Sequence, residues 1–138
     1  MGSNEDIMHD FVKKELKRLY PSVDGWQIKT APGTGAGAGF TISRRILGRI
    51  EGAYVLVNFD RKVTDKAVKA LQELAARSPI PGVRNPRLII MAPQGAETAG
   101  LPPGIEVLSM QSFGYEGNEL VWLKRRAQVS EKVPPRSS

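Results

Sequence analysis

The sequence predicts an α/β domain: a central mixed sheet flanked by helices, with its elements in the order α-β-β-β-α-β-β. Two segments repeat apolar residues at helical spacing, from Ile7 to Tyr20 and from Ala67 to Ala75. Two short runs, Ala53 to Val57 and Leu88 to Met91, are apolar at every position, as strands covered on both faces are. Between the helices, Trp26, Ile28 and Thr30 alternate with Gln27 and Lys29, the pattern of a strand with one wet face.

Asn4 is placed to cap the first helix, with Glu5 and Asp6 favouring its dipole. The apolar stripe is Ile7, Met8, Phe11, Val12, Leu16, Leu19 and Tyr20. Lys13, Lys14, Lys17 and Arg18 fall on the polar side, and Pro21 stops the helix. After the first strand, "APGTGAGAG" has the glycine content of a flexible loop or open turn. Phe40, Ile42 and Arg44 begin a second strand, and Gly48 and Gly52 bracket the turn into the third. Thr64 and Asp65 cap the second helix, whose stripe is Ala67, Val68, Leu71, Leu74 and Ala75. "SPIPGVRNP" ends that helix and carries the chain over the surface to the Leu88–Met91 strand. Ile105 to Leu108 reads as a fifth strand, and Leu120 to Leu123 as an edge strand after a Gly117-Asn118 turn. Residues 1–123 therefore form one domain, and 124–138 a basic, Pro- and Ser-containing tail too poor in apolar surface to fold.

A chain of 138 residues with 41% hydrophobic and 25% charged side chains can bury one ordinary core. The absence of cysteine excludes disulfides and thiolate metal sites and makes a reducing, cytoplasmic setting the expectation. A lone His9 excludes a histidine-cluster metal centre. No run approaches the roughly 18 apolar residues of a membrane span, and the N-terminus lacks the basic-then-apolar order of a secretory leader. The net charge of +6 is concentrated in two places. One holds Arg44, Arg45, Arg49, Arg61 and Lys62 against Glu51 and Asp60; the other, the tail, holds Lys124, Arg125, Arg126, Lys132 and Arg136 against Glu131. Clustered charge of this kind suits an anionic partner, with nucleic acid the first candidate.

The element order and several local features resemble the PD-(D/E)xK nuclease superfamily, whose fold is restriction-endonuclease-like, and within it the archaeal Holliday-junction resolvases. The features are a leading helix, the strand entry Gly25-Trp26-Gln27-Ile28, the glycine-rich stretch Gly33 to Gly37, and a buried strand running into Asn58, Phe59 and Asp60. The resemblance covers roughly residues 4 to 108 and rests on pattern and spacing. It implies a site of two carboxylates holding Mg²⁺ and a lysine serving the attacking water. Carried over position by position, the first acid falls at Arg45, the second at Asn58 and the lysine at Asp60, so none keeps its chemistry. Arg45 puts a permanent cation where a metal would bind. The three replacements are expected to pair, with the Arg45 guanidinium against Asp60 and Asn58 bonded to both. The resemblance thus implies a nuclease fold without catalytic residues, metal or cofactor, and a homodimer by analogy.

Four functional readings remain open at this stage. The first is nucleic-acid binding through a basic cleft formed by Arg44, Arg45, Arg49, Arg61 and Lys62, helped by Lys124, Arg125 and Arg126 in the tail. The second is a protein-interaction or assembly module that uses the Leu120–Leu123 edge. The third is an active Mg²⁺ nuclease with a migrated Asp60-x-Lys62 site. The fourth is dinucleotide binding, because Gly33-x-Gly35-x-x-Ala38 fits the G-x-G-x-x-G/A form with Asp60 about 22 residues later. Against the last, the preceding strand contains Gln27 and Lys29, and the β-formers Phe40 to Ser43 follow where a helix should start.

Overall fold

The computed structural model describes residues 4–34 and 37–123; the side chains of residues 4–9 and 31–38 lie outside the described set, as does the whole basic tail. The domain is an α/β fold around a six-stranded mixed sheet. Its elements are α1 (Asn4–Leu19), β1 (Gln27–Thr34), β2 (Gly37–Ile46), β3 (Arg49–Val57), α2 (Asp65–Arg77), β4 (Arg87–Gln94), β5 (Ile105–Glu116) and β6 (Glu119–Trp122). The strands lie side by side in chain order. The first three form an antiparallel meander, β3–β4 and β4–β5 are parallel, and β6 returns antiparallel on β5.

The apolar run of β3 dictates this layering. Ala53, Val55 and Val57 enter one core with Val12 and Leu16 of α1 and with Phe40, Ile42, Ile89, Met91 and Phe113. Tyr54 and Leu56 enter the other, with Val68, Leu71 and Leu74 of α2 and with Ile90. Alternation along β3 thus sends successive side chains to opposite helices. No helix among the described residues is long and apolar enough to cross a membrane.

Several expectations need correction. The glycine stretch is largely strand: pairing continues to Thr34 against Gly37, with a register shift between Ala31 and Thr34. Because that stretch runs into β2 and not into a helix, it is no dinucleotide-binding fingerprint. The β2–β3 turn is the two residues Leu47-Gly48, and Gly52 lies inside β3. Both turn residues have positive φ (52° and 80°), as a type I′ hairpin requires. Leucine in that region costs about 1 kcal/mol or more. Thr64 occupies the cap position of α2, but its side chain makes no capping bond. Leu19, assigned to the apolar stripe of α1, is half exposed.

The largest departure is in β5, which runs to Glu116 and carries an insertion. Ala92 pairs with Ser109, yet Gln94 pairs with Gly114, so β5 bulges between these rungs. A bulge frees backbone groups from the ladder. Here Glu15, on α1 and only 2% exposed, accepts bonds from Gln111 N (2.5 Å) and Ser112 N (3.1 Å). The Gln94 amide donates to Met110 O at 3.0 Å. Glu15 therefore fastens α1 to the irregular part of the sheet, and its place on the helix's buried side breaks the pattern expected of an apolar stripe. Glu15→Ala, which leaves the buried Ser112 N–H without its acceptor and removes the bond to the more exposed Gln111 N–H, is expected to destabilise the fold by about 1–3 kcal/mol. Glu15→Gln, which keeps one acceptor oxygen, should lose less; urea denaturation measures both.

Candidate functional site

Strand direction gathers the basic side chains. The β2–β3 hairpin turns at one end of the sheet, and because β4 runs parallel to β3, the loop after α2 must return to that same end before β4 can begin. Arg44 of β2 and Arg49 of β3 consequently meet Arg84 of the returning loop and Arg87 at the start of β4. With Tyr20 and Trp26 they wall a cleft of about 700 Å³. The buried Tyr54 hydroxyl holds the loop in place, donating to Ser78 O at 2.8 Å and accepting from Ile80 N at 3.1 Å. Gly52 leaves room for it: a Cβ there would lie 3.0 Å from Ile80 Cδ1 and from Val83 Cγ2.

The four arginines are held differently. The Arg44 guanidinium carbon lies 4.4 Å from the centroid of the Trp26 ring while its Nε bonds Glu51 at 2.9 Å. Tyr20 meets the same indole edge-on at 5.0 Å. Arg87 grips Glu106 with two bonds, of 2.9 and 2.6 Å. That contact holds the Glu106 carboxyl below its ordinary range and raises the Arg87 guanidinium further, with a smaller contribution from Tyr20. Arg49 and Arg84 are exposed and make no ion pair among the described residues. The cleft thus presents two oriented cations and two uncommitted ones beside aromatic walls.

The three residues expected to form a substitute for a metal site do not meet. Arg45 pairs with Ile50 near the hairpin turn, whereas Asn58 follows β3 at its far end, about eight residues on and roughly 26 Å away at strand rise. The expected Arg45–Asp60 pair is therefore not formed, because antiparallel pairing sends the end of β2 away from the end of β3. Continuing the β2–β3 register places Gly37 across from Asn58, so no side-chain ligand comes from β2 at that point. Asn58 is 3% exposed; its Nδ2 donates to Asp60 O at 3.4 Å and its own N–H bonds Met91 O. Among the described residues no three His, Cys, Asp or Glu side chains converge as a metal set.

The basic residues expected to share one cleft are likewise divided. Arg45 points to the opposite face of β2 from Arg44, with which it alternates. Arg61 and Lys62 lie beyond the far end of β3. There Arg61 donates to Gly117 O at 2.7 Å and to Glu97 at 3.5 Å, and Lys62 bridges to Glu97 through the backbone. Lys124, Arg125 and Arg126 lie outside the described residues. Arg84 and Arg87 were missed, though "RNPR" directly before an apolar strand was a readable signal once β3 and β4 are taken as parallel.

At the far end the Tyr115 hydroxyl donates to Phe59 O at 2.5 Å and secures the segment that carries Asp60. Burial raises the Tyr115 phenol above its usual range, the Asp60 carboxylate adds to this, and Arg61 opposes it. A raised folded-state pKa makes a stabilising contribution that is complete below about pH 10 and lost as pH rises through the folded value. Tyr115→Phe is expected to cost about 1 kcal/mol at pH 7, with the deficit shrinking above pH 10. Paired urea denaturations from pH 7 to 11 measure the difference.

No family model matches the chain, and no curated protein or solved structure matches it either.

Proposed function

We propose that the domain has a restriction-endonuclease-like fold without that family's metal chemistry, and that it binds nucleic acid through the cleft at the β2–β3 turn. The observation that carries the binding reading is the convergence of Arg44, Arg49, Arg84 and Arg87, from three separate chain segments, on one aromatic-walled hollow. Guanidinium groups suit phosphate oxygens through their planar, forked donors. The helix–meander–helix–parallel-strand sequence supports the fold assignment. Asn58, Asp60 and Gly37 at the far end of β3 support the absence of cleavage chemistry. The tail's Lys124, Arg125 and Arg126 join the proposal by charge alone.

The reading predicts binding to short duplex or single-stranded oligonucleotides that weakens steeply with salt, with a log–log slope of about −2 to −4 for two to four phosphate contacts. Fluorescence anisotropy at 50 to 300 mM salt measures it. The double variant Arg49→Glu, Arg84→Glu should weaken binding at least about tenfold at low salt. Arg61→Glu, at the opposite end, should change it less than about twofold. Equal losses from both would place the contact elsewhere, and absence of binding at low salt would end the reading.

A second reading, an assembly module, is favoured by β6, a four-residue edge strand with Trp122 46% exposed. A monomer in light scattering at high concentration would count against it.

A further inference from the structure

The β2–β3 hairpin extends past both of its neighbours. The first rung of β1 is Gln27 against Ser43, and the first rung of β4 is Arg87 against Ala53. Residues 44–51 therefore stand as a two-stranded ribbon, paired only with themselves through Arg44–Glu51, Arg45–Ile50 and Ile46–Arg49. At its tip Leu47 is 91% exposed and sits at φ 52°. Both properties oppose what folding alone selects. Asparagine or aspartate before glycine suits this turn, and an exposed leucine here buries nothing. Arg44, Arg45 and Arg49 lie within three residues of that leucine on the same ribbon, and Arg45 and Arg49 make no ion pair among the described residues.

We propose that this ribbon is a wedge for duplex nucleic acid: its arginines straddle the phosphates of a groove while Leu47 enters between base pairs and unstacks one step. The inference rests on the binding reading above, since Arg44 and Arg49 belong both to the ribbon and to the cleft. A two-stranded ribbon is an element that proteins lay in a groove of a duplex, major or minor. Apolar side chains driven into base steps are a known way for proteins to kink a duplex, and flanking cations supply the attraction that offsets unstacking. A lipid surface is the less suitable occupant. One leucine at a tip offers far less apolar area than the broad face of a membrane-seated helix.

The experiment uses the full chain and a duplex carrying 2-aminopurine at successive positions, whose fluorescence rises on unstacking. The wild-type protein should raise the signal at least about threefold at one or more positions. Leu47→Asn, which keeps the turn and all the arginines, should retain affinity within about threefold while abolishing the rise; Leu47→Ala should do the same. The thermal midpoint of Leu47→Asn should equal or exceed that of the wild type, because asparagine suits the positive φ, which shows that the loss is not misfolding. If Leu47→Asn binds and unstacks as well as wild type, the wedge is wrong and the binding reading stands. If wild type binds no nucleic acid at any salt, both fall. If it instead sediments with anionic phosphatidylserine vesicles in a Leu47-dependent manner and leaves 2-aminopurine unchanged, the tip is a lipid contact and the proposal is overturned.

Discussion

The burial of β3 on both faces is the constraint from which the rest of this architecture follows. Five consecutive apolar residues, Ala53 to Val57, must all leave water. Alternation divides them between two sides, so one helix cannot cover them. Placing α1 on one face and α2 on the other meets that need. Each fully buried Val or Leu contributes about 1.5–3 kcal/mol. The same strand carries the change in sheet direction, antiparallel to β2 and parallel to β4. Where the charged loops meet is thus set by how the apolar centre is closed.

Polar groups in the interior refine this plan. Glu15 reaches from α1 to the β5 bulge, and the Tyr54 hydroxyl reaches from β3 to the loop after α2. In both cases one side chain satisfies backbone atoms that the regular ladder leaves open, which is the condition for irregular backbone to persist away from water. The two also differ. Glu15 supports the sheet itself, whereas Tyr54 holds the segment that leads to Arg84 and Arg87.

Much of the element order was legible because the segments carry clean periodicities. The helix Ala67 to Ala75 and the strand Ala53 to Val57 could be read residue by residue, since period and burial agree there. Leu47 was not legible as a turn residue, because turn chemistry favours asparagine at its place. Glu15 was invisible for the opposite reason: a carboxylate on a helix is expected in water, and only the distant β5 bulge gives it a partner. The misplacement of Arg45 beside Asn58 came from counting positions along the chain without laying β2 against β3. Antiparallel register converts nearness to a strand's end in sequence into distance in space. Arg84 and Arg87 were hidden by the same omission, since their meeting with Arg44 and Arg49 depends on strand direction.

The length of β3 separates two basic zones, one around Arg49 and one around Arg61, by roughly 25 Å at strand rise. That span exceeds any single nucleotide. At about 3.4 Å per step along a duplex, it corresponds to some seven or eight consecutive units. On the nucleic-acid reading proposed above, a duplex touching both zones at once must run over about that many base pairs, while a shorter one can occupy only one.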